Sequence, residues 1–332
     1  MKVKKFKQWI LNRLVNSRQT SFFEKANFKI MFLLKDRFFR EDNDLVKYNL
    51  NGREIILPFS HDLPVSKSLL PVYSENIGRI ALYAKQKYDQ LKIIDIGANI
   101  GDTVFIIKAN VDTPMLCIEG ESKYFSLLQF NTSYWDDVYL EKSFIGDKTS
   151  ENAEIISSRG TGRIVEIQNP AKTLSFESLS AVIERNPIFS DFKLIKIDTD
   201  GFDCRIIRNE ISLFARVKPI IFFEYDPYSL RNFNDDGLSV FQKLREGGYE
   251  KLIIYESNGD YLLMTDLYHT QILEDIHHFY SGRKSQKYCD ICVFHTEDNE
   301  LAESVRLREL SFFSKQRQFD LPQLKTRERE SK

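Results

Sequence analysis

Two acids, two glycines and an asparagine stand at spacings that suit the binding of a small ligand. Asp95 ends an apolar run, and Gly97, Asn99 and Gly101 follow at alternate positions. Glycine lets backbone approach a ligand where a Cβ would collide, and asparagine tolerates a left-handed turn. Glu119 ends the next apolar run, about 20 residues on, where related nucleotide-binding turns place an acid for a ribose. These residues predict a ligand site at a turn between a strand and a helix.

The turn carries an acid and no lysine, and this charge indicates which kind of ligand it binds. Its spacing differs from the GxGxxG of dinucleotide binders and the GxxxxGK[ST] of phosphate loops, and no lysine is placed to hold a phosphate. The acid Asp95 suits a cationic group such as an amine, and Glu119 suits ribose hydroxyls. An ammonium and a ribose without a phosphate point to S-adenosylmethionine (SAM). The alternative is an ordinary strand-to-helix turn that contains glycine.

A second acidic pair follows a later apolar run and is placed to supply a base. In-line methyl transfer to oxygen needs positioning, which can contribute about 7–11 kcal/mol. A base that takes the hydroxyl proton adds about 10²–10⁴-fold. We predict Asp200 as the first candidate for this base and Asp198 as the second. His61 is the third, because histidine titrates near neutral pH, and its alternative role is that of an ordinary loop residue.

Two further side chains are candidates for contact with the cofactor. Asp147 follows a third apolar strand, where it either accepts from an adenine amino group or belongs to a turn. Tyr73 lies near the start of a helix, where it either packs or closes over the ligand. We assign no metal ligands, although Asp198 and Asp200 are also suited to holding Mg²⁺ beside a hydroxyl acceptor.

Strands that alternate with helices over residues 91–294 must position these side chains. This order implies a mostly parallel sheet with helices on both faces. Acids end four of the apolar strands: Asp95, Glu119, Asp198 and Glu224. Because ligands bind at the carboxyl edge of such sheets, we expect these acids to gather there.

The first 40 residues are strongly basic, with two acids, Glu24 and Asp36, against eleven lysines and arginines. Apolar residues recur there at helical spacing and predict amphipathic helices. Asn51-Gly52 predicts a hairpin directly afterwards. The helices either dock on the core with a solvated basic face, or lie on an anionic membrane surface, which would suit a lipid-linked substrate.

Composition excludes several other classes of protein. The net charge of −1 argues against a nucleic-acid binder. Four cysteines lie inside apolar patterns, which favours a reducing, cytoplasmic location; Cys289 and Cys292 would face opposite sides of a strand and so would not form a redox pair. Apolar runs are too short to cross a bilayer, and the N-terminus lacks the features of a signal peptide.

The motifs together resemble FkbM-type methyltransferases over about residues 46–294. The resemblance is carried by Ile94-Asp95-Ile96-Gly97-Ala98-Asn99-Ile100-Gly101, Cys117-Ile118-Glu119, Ile145-Gly146-Asp147, Leu194-Ile195-Lys196-Ile197-Asp198-Thr199-Asp200-Gly201 and Pro219-Ile220-Ile221-Phe222-Phe223-Glu224. It departs from the family at Asp200, where Glu is usual, and at Ser175-Phe176-Glu177-Ser178, where Leu-Asp is often found.

The resemblance implies a Rossmann-like class I methyltransferase fold with a seven-stranded, mostly parallel sheet, and a role in polysaccharide, glycolipid or macrolide assembly. We expect a helical and hairpin extension at residues 1–60, the SAM-dependent domain at 61–295 and a charged tail at 296–332. Asp95, Gly97, Asn99 and Gly101 would then shape the methionine end of the cofactor site. Glu119 would hold the ribose and Asp147 the adenine, with Asp198 and Asp200 near the sulfonium and the acceptor.

The leading hypothesis is therefore an O-methyltransferase that acts on a sugar or glycan hydroxyl. A metal-dependent glycosyltransferase with a DxD motif is the first alternative, but the acid in the turn would repel a nucleotide diphosphate. A non-catalytic methyltransferase fold that scaffolds a membrane-bound assembly is the second. The identity of the acceptor does not follow from the sequence, because loops and insertions build such pockets.

Overall fold

The computed structural model describes residues 4–17, 22–39, 41–147, 153–158, 161–166, 174–231, 235–282 and 288–320. The strands of these residues are β1 (Leu45–Leu50), β2 (Arg53–Pro58), β3 (Ile93–Ile96), β4 (Met115–Ile118), β5 (Val138–Glu141), β6 (Phe144–Ile145), β7 (Ala153–Ser158), β8 (Thr161–Glu166), β9 (Phe176–Glu177), β10 (Leu194–Ile197), β11 (Ile220–Tyr225), β12 (Tyr249–Glu256), β13 (Tyr261–Asp266) and β14 (Cys289–His295). The helices are α1 (Lys5–Val15), α2 (Phe22–Phe38), α3 (Leu63–Leu69), α4 (Glu75–Lys87), α5 (Asp102–Lys108), α6 (Ser122–Thr132), α7 (Leu179–Arg185), α8 (Asp203–Asn209), α9 (Ile211–Val217), α10 (Pro227–Leu230), α11 (Ser239–Glu246), α12 (Thr270–Ser281) and α13 (Asn299–Asp320).

An eight-stranded sheet in the order β13-β12-β14-β11-β10-β3-β4-β5 forms the centre of the fold. The strands from β11 to β5 pair in parallel, whereas β14, β12 and β13 pair antiparallel. This confirms the predicted Rossmann-like α/β class with a mostly parallel sheet. The sheet has one strand more than the seven implied by the resemblance, because a turn at Asn258 and Gly259 returns the chain as β13 along the free edge of β12.

Two apolar layers cover the two faces of this sheet. The central strands β3 and β10 are buried throughout, and alternate residues enter opposite layers. Ile94 and Ile195 belong to one layer, while Ile93 and Leu194 belong to the other. Cys289 and Cys292 also enter opposite layers and are free thiols, as the strand assignment predicts. Helices are therefore needed on both faces to keep the sheet dry.

The N-terminal extension packs on the parallel half of the domain. Its hairpin turns at Asn51 and Gly52, both with positive φ, and pairs β1 with β2 as predicted. Leu11 and Leu14 of α1 are buried in a third apolar cluster with the hairpin and α5. Within the described residues, no helix is long and apolar enough to cross a membrane.

The stretch assigned from sequence to a charged C-terminal tail begins with the 22-residue helix α13. Ala302 and Val305 of this helix are buried in the layer over β12 and β14. Glu309 is fully buried and accepts from Nε and Nη2 of Arg79 on α4, each at 2.8 Å. The fork geometry of arginine makes such a bidentate pair specific in direction. This pair fixes α13 on α4.

Replacing Glu309 with alanine is expected to destabilise the protein by about 3–5 kcal/mol, because Arg79 would remain as a buried, unpaired cation. Urea unfolding followed by circular dichroism measures the change. A matched control is Glu246→Ala, which breaks the exposed Lys243–Glu246 pair and should leave the free energy of unfolding almost unchanged. Equal losses in the two variants would show that α13 does not depend on the buried pair.

Candidate functional site

The turn between β3 and α5 has the backbone that its sequence predicts. Gly97 and Gly101 have φ of +81° and +89°, and Asn99 has φ of +47°. A Cβ at Gly97 would lie 1.8 Å from the backbone oxygen of Asp198, so glycine is required for β3 and β10 to end side by side. A Cβ at Gly101 would lie 2.9 Å from Leu128 on α6. The glycines therefore allow close packing of the chain itself, while Gly97 and Asn99 also line a cavity.

Glu119 lies directly after β4 and faces the same cavity as Gly97. Its carboxylate accepts from the backbone N–H of Asn99 at 2.9 Å and from that of Glu121 at 2.7 Å. Burial raises the pKa of Glu119 to about 7, although both N–H donors favour the ionised form. Each carboxylate oxygen keeps a free lone pair, so this side chain can accept from two neighbouring hydroxyls.

Two cavities meet at the carboxyl edge of the sheet. The lining of the narrower one is mixed: its polar side chains include Glu119, Glu121, Ser143 and Thr199, and its larger side chains are Ile118, Tyr124, Phe144, Ile145 and Phe202. The wider one has a volume of about 690 Å³, within the range of about 300–1,000 Å³ that is usual for small-molecule sites. Gly97, Asn99, Asp198 and Asp200 line both cavities. One extended ligand can therefore pass from the narrower cavity into the wider one.

Lys196 lies beneath the wall that the two cavities share. It is the register partner of Asp95 on the neighbouring strand, so both side chains point to the same face of the sheet. Its Nζ lies 3.5 Å from Asp95 and 2.8 Å from Asp198. Sequence reasoning missed this residue, although a lysine inside a four-residue buried strand was a signal. One buried ammonium thus joins two strand-end acids.

The placement of Asp95 differs from the predicted contact with the ligand. Its side chain is fully buried and lines neither cavity, and Lys196 already supplies its counter-charge. Burial raises the pKa of Asp95. Asp102, in the first turn of α5, lines the wider cavity instead, and burial raises its pKa to about 6. The acid that faces the cavity in this turn is therefore Asp102.

Asp198 and Glu224 form a second carboxyl pair beside Lys196. Burial alone would raise the pKa of Asp198, but the charge of Lys196 and hydrogen bonds from Lys196 and Glu224 lower it. Burial and the charge of Asp198 raise the pKa of Glu224 well above its usual value. The opposite directions of the two pKa shifts favour a proton on Glu224 over one on Asp198. Asp198 is consequently a weak base.

Asp200 stands at the tip of the loop after β10 with φ of +53°, a left-handed conformation that aspartate tolerates. The loop is held from below by Asp203, whose carboxylate accepts from the N–H of Thr199 at 2.9 Å and from that of Gly201 at 3.0 Å. Burial raises the pKa of Asp203 to about 7. These bonds fix the backbone on both sides of Asp200, where the two cavities meet.

A backbone hydrogen bond holds the His61 ring in one tautomer. Its Nδ1 accepts from the backbone N–H of Leu63 at 3.1 Å, and burial lowers its pKa to about 3. The ring is therefore neutral with its proton on Nε2, which is buried without a hydrogen-bond partner among the described residues. His61 lines the wider cavity. In this tautomer the ring has no lone pair available to take a proton. The structure therefore does not support the prediction from sequence that His61 is a base.

The far wall of the wider cavity is formed by residues at the start of α4 and at the start of β14. Of these residues, only Tyr73 was predicted from the sequence to belong to the site. Tyr73 lines the cavity together with Tyr288, and burial raises the pKa of Tyr73 to about 12. Asp290 of β14 is the register partner of Glu224 and accepts from Asn76 Nδ2 at 2.9 Å. An aspartate inside the otherwise apolar strand β14 was the sequence signal for this wall. Antiparallel β14 brings its first residues to the edge where the parallel strands end.

Asp147 lies outside the two cavities. Asp147 is absent from the lining of both cavities, and its Oδ2 lies 3.5 Å from Nδ2 of Asn209. Its predicted contact with adenine therefore has no support from this position. In the part of the chain that the structure describes, no group of three or more His, Cys, Asp or Glu side chains is arranged to hold a metal ion.

Several solved structures are similar to this chain at low identity. A precorrin-6Y C5,15-methyltransferase from Geobacter metallireducens has 11% identity and a TM-score of 0.36, with 66% of this chain and 87% of that chain covered. The N-methyltransferase NodS from Bradyrhizobium japonicum has 10% identity and a TM-score of 0.37, with 68% and 96% covered. The plantazolicin methyltransferase BpumL, solved with SAH, has 9% identity and a TM-score of 0.35, with 87% and 95% covered.

Among proteins of curated function, none matches this sequence. Residues 71–251, more than half of the chain, match the family model described as the methyltransferase FkbM domain. This segment contains the turn at Gly97, Glu119 and the loop at Asp200. The chain belongs to the FkbM methyltransferase family.

Proposed function

We propose that this protein is a SAM-dependent O-methyltransferase that acts on a hydroxyl of a sugar or glycan. The observation that carries the proposal is the shared wall of the two cavities, where Gly97, Asn99, Asp198 and Asp200 stand. A methyl donor in the narrower cavity and an acceptor in the wider one would meet at this wall. Holding two reacting atoms in line near contact distance is the main task in a displacement of this kind.

The side chains of the narrower cavity are of the kind that would bind the adenosine part of the cofactor. Glu119 would accept from the two ribose hydroxyls, and the side chains of Phe144 and Phe202 would hold the base. The amine of the methionine part would lie near Asp102, the acid of this turn that faces the wider cavity. Lys196, which is held between Asp95 and Asp198, would support the shared wall from below. SAM supplies the methyl group as an electrophile, and these side chains bind and orient it.

The wider cavity favours an uncharged, hydroxyl-rich acceptor. Seven carboxyl groups of the described residues line it, against one lysine: Asp62, Asp102, Asp198, Asp200, Glu224, Asp226 and Asp290. Carboxylates accept hydrogen bonds from hydroxyls, and a sugar offers several. A phosphate or diphosphate would instead be repelled, since like charges at short range disfavour each other. This acidity favours a glycan acceptor over the nucleotide-sugar of a glycosyltransferase.

Asp200 is our candidate for the base that takes the acceptor proton. Asp198 is less suited, because Lys196 and Glu224 stabilise its ionised form and so weaken it as a base. His61 would line the acceptor site without taking its proton, because Nδ1 already accepts from the N–H of Leu63. The proton of the acceptor hydroxyl would pass to Asp200 as the oxygen attacks the methyl carbon and the sulfonium leaves as neutral thioether.

Binding of S-adenosylhomocysteine (SAH) is expected to tighten by about tenfold between pH 6 and pH 8. Protonation of Glu119, whose pKa is about 7, removes an acceptor of the ribose hydroxyls, so affinity falls as the pH falls. Isothermal titration calorimetry on the wild type and Glu119→Gln measures this. The variant should bind more weakly at pH 8, and its pH dependence should be shallower because position 119 no longer titrates. Some dependence should remain, because burial raises the pKa of Asp102 to about 6. Wild-type affinity and slope in the variant would contradict the ribose role.

Asp200→Asn should lower the rate of methyl transfer by about 10²–10⁴-fold while SAH affinity stays within about twofold of the wild type. Asparagine also tolerates the left-handed backbone at this position, so the loop should keep its shape. The rate is measured as label passed from methyl-labelled SAM to a cell-envelope extract. Asp200→Glu, which restores a carboxylate, should recover part of the activity. A fully active Asp200→Asn variant would exclude the assigned base.

The reaction itself is tested by identifying the labelled product of the same extract. A methyl ether on a sugar is expected, with no loss of label in EDTA. Label on nitrogen or carbon, or no label above an Asp200→Asn control, would contradict the proposed reaction. Tight binding of a nucleotide diphosphate sugar without SAH binding would favour the glycosyltransferase alternative.

A further inference from the structure

The two N-terminal helices expose large apolar side chains that the rest of the described chain does not cover. On α2, Phe22, Phe23 and Phe38 are 81%, 82% and 70% exposed. Ile30, Leu33 and Leu34 of the same helix are also exposed. These six residues are called the α2 outer face below. Scattered exposed apolar residues are ordinary, but six on one 17-residue helix form a patch that marks an interaction surface.

The apolar side chains of the α2 outer face are not needed for packing on the domain. The opposite side of α2 already supplies that contact through Phe28, which is buried, and through Met31 and Phe32, which are half-buried in the third apolar cluster. A helix that is apolar towards the core needs only a polar face towards water. Here the face towards water is apolar as well, which indicates that it contacts a second apolar surface outside the domain.

The exposed charges of the two helices have one sign. Lys5 and Arg13 of α1 and Lys25, Lys29 and Arg37 of α2 are exposed cations. The first helix contains no acid. The two acids of α2 are half-buried, and each is engaged in an interaction within the chain. Basic residues beside an apolar helix face are typical of helices that lie in the headgroup region of an anionic membrane.

A tryptophan adds to this pattern on α1. Trp9 and Phe6 are exposed by 50% and 66%, and the guanidinium of Arg13 lies 4.9 Å from the ring of Trp9. Tryptophan is enriched at the boundary between lipid and water, because its ring has an apolar body and a polar N–H. Both helices thus present an aromatic residue and cations to the outside.

We propose that α1 and α2 bind the surface of an anionic lipid bilayer through these exposed apolar and basic side chains. The helices lie in the interface and do not span the bilayer. The α2 outer face enters the boundary between headgroups and acyl chains, while Lys25, Lys29 and Arg37 contact lipid phosphates. The binding itself is independent of the methyl-transfer reaction proposed above.

The membrane-binding helix α2 is also attached to the rim of the wider cavity. Lys35 is buried, and its Nζ donates to the backbone oxygen of Ser60 at 3.0 Å and to Asp62 at 3.1 Å. His61 and Asp62 both line that cavity. Bilayer contact through α2 would therefore bring the cavity rim close to lipid headgroups. If the proposed function holds, this arrangement identifies the acceptor as a lipid-linked glycan.

Cosedimentation of the full chain with vesicles tests the proposal. Vesicles of phosphatidylcholine with phosphatidylglycerol should pellet the protein, and vesicles of phosphatidylcholine alone should retain at least tenfold less. Each basic residue near an anionic surface contributes about fivefold in affinity, so a variant without three of them should bind about a hundredfold more weakly. That variant is Lys25→Ser, Lys29→Ser, Arg37→Ser.

A matched control removes three exposed cations elsewhere, in Lys142→Ser, Arg216→Ser, Arg308→Ser, and should bind vesicles within about threefold of the wild type. Both variants should bind SAH as the wild type does, which separates this test from that of the proposed function. Equal binding to both vesicle types, or equal losses in both variants, would overturn the proposal.

Analytical ultracentrifugation addresses the other occupant of such a face, a second copy of this chain. A monomer in solution that binds anionic vesicles supports the proposal. A dimer that becomes a monomer in Phe22→Ser, Phe23→Ser and that fails to bind vesicles would overturn it and assign the α2 outer face to self-association.

Discussion

The ammonium group of Lys196 is the interaction on which the candidate site depends. It is buried between Asp95 of the neighbouring strand and Asp198 at the end of its own strand. A charge pair in such a place survives only if each partner is compensated, because removal from water costs several kcal/mol per ion. Lys196 therefore allows two acids to remain at adjacent strand ends. Its charge also lowers the pKa of Asp198, and the charge of Asp198 in turn raises the pKa of Glu224.

The wider cavity shows how one sheet edge can hold many acids without losing the fold. Its carboxyl groups differ in their partners and hence in their charge. Asp198 has a cation within 2.8 Å, whereas Asp290 accepts from the amide of Asn76, and burial raises the pKa of Asp290 to about 7. Some of these groups are therefore donors near neutral pH while others accept. A polyhydroxyl ligand, whose groups both donate and accept, is matched by such a mixture.

The sequence predicts the part of the site that is local in the chain. Residue types and spacing along consecutive strands predict the turn at Gly97 and Asn99. They also predict that Glu119 lies in the same cavity as this turn. What the sequence missed depends on contacts between distant segments. Asp95 is hidden because Lys196 is its partner in register, and Asp290 reaches the edge because β14 runs antiparallel. The tautomer of His61 depends on one backbone N–H, that of Leu63, which no pattern of residue types reveals.

The close contact at Gly97 limits which substitutions this edge of the sheet can accommodate. A Cβ there would lie 1.8 Å from the backbone oxygen of Asp198, so the turn after β3 and the loop after β10 share one steric constraint. No side chain can be introduced at position 97 without separating the two loops. The far wall of the wider cavity, around Tyr73 and Tyr288, does not take part in this contact and can change without moving either loop. Variants made to accept other ligands are therefore best sought at that wall, with the contact between Gly97 and Asp198 kept unchanged.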